Sequence, residues 1–349
     1  MDYRLAAGIV FRGKENQMTG EKILLWREGE YHYPAAYGFA PFMISYIHED
    51  REIHPAMVIV PGGAYRNASP SEAHLPAETF YRYGYNGFVL VYTVNLLDTP
   101  LKMQPLQDIS RAVRMIRSKA DRYSVDPDRV AVCGFSAGGH LAASLCVHYK
   151  DVTDPDERFN GWTNRPDAAI LAYPVITSGQ YTHVDSMLAL LGSEPGADEL
   201  EYMSLEKHVS ADTPPCFLWQ TVTDASVPVE NSYLFAQACR EQGVPFAHHV
   251  FSDGVHGLSV ATEQWLERDF GEPYTLEQIR LLAEAVSAGK TPYPLEKGRE
   301  ILADFGLDGR KKEKWDPEQK EEIRKTLKTV GIWPELAKDW LDQLWNRDQ

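Results

Sequence analysis

A serine flanked by glycines, Gly134-Phe135-Ser136-Ala137-Gly138, stands between an apolar run at 129–133 (RVAVC) and a helix-like stretch at 141–149 (LAASLCVHY). A strand that turns abruptly into a helix lifts a serine clear of its sheet, and the turn is so tight that the flanking residues must be small. The new helix aims free N–H groups and a partial positive charge at the same point, which favours a developing oxyanion. The spacing predicts a nucleophilic Ser136 at the tip of this elbow.

A serine hydroxyl attacks a carbonyl only when a base removes its proton, and that base must itself be oriented by an acid. The chain has 11 histidines. In a parallel sheet, functional groups collect on loops leaving the carboxyl ends of strands. His256 meets that condition, in the loop 252–257 (SDGVHG) after the strand candidate 246–251. His248 and His249 lie within that strand and are expected to pack there. His140 follows the elbow helix and is not expected to reach the hydroxyl. Asp224, directly after the strand candidate 216–221, is the best acid. Asp253 is the runner-up, whereas Asp212 precedes a strand and falls at the wrong edge. For the oxyanion, the Ala137 N–H needs a second donor, and the loop 61–65 (PGGAY) after the apolar run 56–60 supplies Gly63 or Ala64. Tyr65 beside them is expected to bind substrate.

These residues need a scaffold that brings several strand ends together. Runs at 22–26 and 42–47 read as antiparallel edge strands. Those at 56–60, 87–94, 129–133, 168–173, 216–221 and 246–251 read as buried strands, with a crossover helix at 106–123 carrying Ile109, Val113, Ile116 and Ala120 at helical spacing. The alternation predicts an α/β fold, a mostly parallel central sheet with helices on both faces, as one domain over residues 1–349. Residues 178–212 form a candidate cap. Residues 264–329 read as a helical segment beside the site entrance, with helices at 274–287 and 295–305 and a third opened by Asp316-Pro317. The charged run 310–314 (RKKEK) reads as a solvated turn.

The 349 residues are 44% hydrophobic, ample for a large core, and carry a net charge of −15. An acidic surface argues against nucleic acid or an anionic membrane as partner. It suits a soluble protein acting on neutral or cationic small molecules, and the 264–329 helices are a candidate contact for a homo-oligomer. The four cysteines form no Cys-x-x-Cys pair and read as buried thiols in a reducing compartment. The apolar run 5–11 is too short for a signal peptide and no long apolar segment follows, so a cytoplasmic protein is expected, in which the sequon at 67–69 has no consequence. Neither a metal nor an organic cofactor is expected.

The chain resembles the alpha/beta-hydrolase esterases, specifically their carbohydrate (xylan) acetyl-esterase branch. The similarity rests on PGGAY at 61–65, PLQDISRAVRMIR at 105–117, DPDRVAVCGFSAGGHLAASL at 126–145, TDASVPVENS at 223–232 and DGVHGLS at 253–259. It covers roughly residues 20–262 and resumes at 333–345 (WPELAKDWLDQLW), which resembles the family's closing helix (333–346) and implies that 264–329 is a helical insertion before it. The order Ser136, Asp224, His256 is the one that layout expects. The resemblance implies a serine esterase that removes short acyl groups, often acetyl, from carbohydrates such as acetylated xylo-oligosaccharides through an acyl-enzyme on Ser136. A broad carboxylesterase, a feruloyl esterase or a formamidase-like acyl hydrolase would share the fold. One departure is Ala64, where a third glycine is common; its methyl is expected to favour short acyl groups.

Overall fold

The computed structural model describes residues 6–12, 17–310 and 315–346. Its strands are β1 (Ala6–Arg12), β2 (Gln17–Leu24), β3 (Phe42–Tyr46), β4 (His54–Val60), β5 (Asn86–Val91), β6 (Val125–Phe135), β7 (Ala168–Ala172), β8 (Cys216–Thr221) and β9 (Phe246–Phe251). They make one sheet in the order β1-β2-β3-β5-β4-β6-β7-β8-β9. The pairs from β1 to β5 are antiparallel, and those from β5 across to β9 are parallel. The edge and core strands therefore take the directions expected of them.

Alternation explains why the parallel strands are apolar throughout. Along β4, Ala56, Val58 and Val60 enter one core layer while Met57 and Ile59 enter the other. Along β6, Val130 and Val132 face the first layer, and Ala131, Cys133 and Phe135 the second. The helices Gln104–Ser118 and Ala137–His148 cover the first face; His74–Arg82 and Trp333–Asn346 cover the second.

Several boundaries differ from the expected ones: β2 runs 17–24 rather than 22–26 and β6 runs 125–135 rather than 129–133, while β3 and β7 each stop one residue early. Strand β1 is built from part of the N-terminal apolar run, which had not been assigned to the sheet; Leu5 lies outside the described residues. Strand β5 ends at Val91 rather than residue 94 because later amides find other acceptors. The Thr93 N–H donates to Asp108 Oδ2 at 2.9 Å, and the Val94 N–H to Gln278 Oε1 at 2.9 Å.

After β9 come the helices Glu263–Leu266, Glu277–Ser287, Glu296–Asp304, Pro317–Val330 and Trp333–Asn346. The expected start at Asp316-Pro317 has a physical basis, since the Asp316 carboxylate accepts from the Glu318 and Gln319 N–H groups and Pro317 occupies the first turn. The segment grips both layers. Leu276, Ile279, Leu282, Val286 and Ile301 join the first core, whereas Trp265, Leu266, Ile323, Leu327 and Val330 join the second. Gln278 pins it to the body, accepting from the Val94 N–H and donating to the Val94 carbonyl at 2.7 Å. Of the charged run only Arg310 is described; residues 311–314 lie outside the described residues. Among the described residues no helix is long and apolar enough to cross a membrane.

Candidate active site

Strand β6 runs straight into the helix Ala137–His148, and Ser136 makes the joint at φ 54° and ψ −120°. An L-residue reaches that conformation only when its surroundings force it. Three backbone hydrogen bonds do so: the Ser136 N–H donates to Ala172 O (3.0 Å), and Ser136 O accepts from the His140 and Val175 N–H groups (3.1 Å each). The glycines are explained by close approach. A Cβ on Gly134 would lie 2.3 Å from Gly138 O, and one on Gly138 would lie 2.1 Å from Val60 O.

The loop after β9 delivers His256. Its Nε2 lies 2.8 Å from Ser136 Oγ, and its Nδ1 lies 2.6 Å from Asp224 Oδ2. A carboxylate only accepts, so Nδ1 carries the proton and Nε2 is left to accept from the serine hydroxyl. Asp224 cannot swing away, because its other oxygen accepts from the Ser226 and Val227 N–H groups, both at 2.9 Å. Asp253 instead accepts from Thr223 Oγ1 at 2.9 Å, and Asp212 pairs with Lys150. His248 bonds Ser232 Oγ at 3.1 Å and His249 stacks on Phe217, so both pack within β9 as expected.

The 61–65 loop after β4 takes left-handed φ values at three successive residues, Gly63 (115°), Ala64 (56°) and Tyr65 (59°). The neighbouring Gly62 N–H is already taken, donating to Glu72 Oε2 at 2.8 Å. Gly63 and Ala64 line the cavity at Ser136, and among the described residues their N–H groups, like that of Ala137, have no protein acceptor. They are free to donate to an oxyanion.

Tyr65 is a correction. Its side chain is 1% exposed and turns into the core, where its hydroxyl lies 2.8 Å from His140 Nδ1. His140 Nε2 lies 3.1 Å from the Met203 carbonyl, which can only accept. His140 is therefore a neutral imidazole protonated at Nε2 that accepts from the Tyr65 hydroxyl, and burial lowers its pKa to about 4. The pair ties the oxyanion loop to the elbow helix and to the 178–212 segment, whose helices are Val184–Leu191 and Ala197–Tyr202.

The site also contains a carboxyl that no spacing pattern had singled out. Glu72 is buried; besides holding Gly62 it accepts from the Tyr173 hydroxyl at 2.7 Å, and burial raises its pKa. Tyr173, from the end of β7, accepts from the Ser259 N–H at 3.0 Å and stands edge-on to the His256 ring, 4.9 Å between centroids. One carboxyl thus braces the oxyanion loop and, through Tyr173, the histidine loop. Only the fold brings residues 72, 173 and 259 together.

The cavity at Ser136 has a volume of about 410 Å³ and is also lined by Arg66, Leu96, His183, Ser226 and Phe305. His183 comes from the candidate cap, and among the described residues Phe305 is the one contribution of the 264–329 segment to this lining. Among the described residues no cluster of three or more His, Cys, Asp or Glu could hold a metal ion.

The BD-FAE family model matches residues 44–239, more than half of the chain. The chain belongs to the BD-FAE family of alpha/beta-hydrolases. The match contains the elbow, the glycine loop and Asp224, while His256 lies just beyond it. Endo-1,4-beta-xylanase B of Butyrivibrio fibrisolvens is 49% identical over 255 residues, covering 73% of this chain and 40% of that protein. The acetylxylan esterase of Xylanibacter ruminicola is 28% identical over 213 residues, covering 59% of this chain and 42% of that one. This BD-FAE member thus spans about two fifths of the length of these curated relatives. Among solved structures, an acetyl ester-xyloside bifunctional hydrolase from Caldicellulosiruptor lactoaceticus superposes with a TM-score of 0.65 at 36% identity, over 71% of this chain and 93% of that one.

Proposed function

We propose that the protein is a serine esterase that removes acetyl and other short acyl groups from carbohydrates, with acetylated xylo-oligosaccharides as substrates. The observation that carries the chemistry is the continuous chain from Ser136 Oγ to His256 (2.8 Å) and on to Asp224 (2.6 Å), facing unengaged N–H groups across the cavity. Ser136 attacks the ester carbonyl as His256 Nε2 takes its proton. The oxyanion of the tetrahedral intermediate accepts from Ala137 and the Gly63–Ala64 loop, where one donor is worth about 3 kcal/mol of barrier. His256 then protonates the departing sugar oxygen, and water repeats the sequence on the acyl-enzyme. Asp224 holds the tautomer and stabilises the imidazolium. None of these steps calls on a metal or an organic cofactor.

The carbohydrate preference is supported by the company the chain keeps, a xylanase, an acetylxylan esterase and an acetyl ester-xyloside hydrolase. Four free, buried thiols fit a reducing compartment such as the cytoplasm. Labelling by a fluorophosphonate, lost in Ser136→Ala, tests the nucleophile. A panel of acetylated xylo-oligosaccharides, aryl esters, feruloyl esters and amides tests the substrate class. Higher kcat/KM on feruloyl esters or amides than on acetylated sugars would overturn the deacetylase reading.

A further inference from the structure

A second cavity, of about 300 Å³, adjoins the catalytic one, and Leu96 lines both. Its walls come from three places: the 33–37 stretch, the 94–99 loop after β5, and the 278–293 part of the helical segment. Tyr33, Tyr37 and Tyr293 are the aromatic lining, with Asn95 and Asp98 as polar groups. Two rings are held by their own hydroxyls. Tyr33 Oη donates to the Thr99 carbonyl at 2.7 Å, and Tyr293 Oη donates to the Asp98 carboxylate. Asn95 spends its N–H on Tyr65 O (2.8 Å) and its Nδ2 on Ala189 O (3.1 Å), while its Oδ1 takes no protein donor among the described residues.

We propose that this cavity is a glycosyl subsite, holding a neutral pyranosyl unit of the same oligosaccharide whose acylated unit is presented to Ser136. The assignment rests on the carbohydrate esterase reading and adds where the rest of the sugar chain lies. A pyranose has an apolar C–H face and a rim of hydroxyls. It needs flat amphipathic walls and a few fixed acceptors, the combination that Tyr37, Tyr293, Asn95 and Asp98 provide. An acyl chain would have no use for the acceptors, and the Asp98 carboxylate disfavours an acidic sugar. The volume stands at the lower end for small-molecule sites, suiting one ring rather than a polymer segment. Contact through Leu96 makes the two cavities neighbours along one substrate. Most of the aromatic wall lies outside the catalytic machinery, so binding and chemistry are separable.

The test uses the full chain and its Tyr37→Ala, Tyr293→Ala and Tyr293→Phe variants. Unsubstituted xylotriose is titrated calorimetrically against each, and kcat and KM are measured on acetylated xylotriose and on 4-nitrophenyl acetate. The two alanine variants should bind xylotriose about tenfold more weakly and raise KM for the acetylated trisaccharide by a similar factor. Tyr293→Phe, which keeps the ring, should retain most of the binding. Aryl acetate kinetics, which also report that each variant is folded, should stay within about twofold of wild type because that substrate is too small to reach the subsite. Undiminished xylotriose binding and an unchanged KM in both alanine variants would overturn the subsite and leave the esterase reading standing. Tyrosine-dependent xylotriose binding by a protein that deacetylates no sugar would support the subsite and sink the esterase reading instead. Tyrosine-dependent binding of free ferulate, with none of xylotriose, would overturn the glycosyl assignment.

Discussion

Ser136 is held in a conformation that its own backbone disfavours, and the bonds that hold it there are all main-chain. Removing its hydroxyl therefore costs little packing. Ser136→Ala and His256→Ala should each lower kcat/KM by on the order of 10⁴ or more with unfolding midpoints unchanged, and Asp224→Asn should retain more activity because it orients rather than reacts. Asp253→Asn should be close to wild type, since Asp253 is bonded to Thr223 and not to His256. A dead Asp253→Asn beside an active Asp224→Asn would reverse the acid assignment. Glu72 makes a subtler case. Its two oxygens accept from Gly62 N–H and Tyr173 Oη, and a glutamine can satisfy only one donor while turning an NH₂ towards the other. One lost bond plus an unpaired buried donor is worth about 1–3 kcal/mol, so Glu72→Gln should lower kcat roughly 10- to 100-fold. Kinetics that show the loss mainly in KM would assign Glu72 to substrate binding instead.

At the scale of elements, the oxyanion loop, the elbow helix and the 178–212 segment meet at His140. Its ordinary pKa of 6.5 falls to about 4 in the fold because the ring is buried. Between those values the unfolded chain binds a proton that the native state refuses, so this group's contribution to stability is lost as pH falls from about 6.5 to about 4. The linked loss approaches ~3 kcal/mol at the low end. Asp108 acts in the opposite sense, since burial raises its pKa from 3.8 to about 6 and its proton is bound more tightly in the native state. The difference between wild type and His140→Gln isolates the histidine. Urea midpoints at pH 7 and pH 4.5 should show wild type losing more stability than the variant, and parallel slopes would refute the linkage. The oxyanion loop makes its own forecast. Ala64 lines the catalytic cavity and carries a methyl that a third glycine would lack, so kcat/KM on aryl esters should fall steeply from acetyl to octanoyl. A preference for octanoyl would remove the steric argument.

For the whole molecule, the decisive feature is how the 264–329 segment is anchored. Read from sequence it was expected beside the site entrance, where its removal would widen access. In the fold it reaches the catalytic cavity through Phe305 and the neighbouring cavity through its 278–293 part, while its apolar faces are committed to both core layers. Leu276, Ile279, Leu282, Val286 and Ile301 are buried, each worth about 1.5–3 kcal/mol, against a typical net stability of about 5–15 kcal/mol. Replacing 268–327 with a short linker should therefore abolish cooperative unfolding rather than raise activity on polymeric xylan. A deletion variant that melts like the wild type would show the segment to be an accessory.

Local chemistry wrote itself plainly into the chain. The glycines around Ser136, the strand ends before Asp224 and His256, and the apolar runs of the parallel strands were legible because each depends on a few adjacent residues and a short period. Even the separation of His256 from His140, His248 and His249 followed from topology alone. Residues that act through partners far along the chain left no such trace. Glu72 shows no pattern, because its meaning comes from Gly62 and from Tyr173, 101 residues away. Tyr65 looked like a substrate contact by adjacency, yet a positive φ at the end of a strained loop turned its side chain inward to His140. Side-chain direction at such a turn, and the docking of one helical segment on two layers, depend on contacts that exist only after the sheet has assembled.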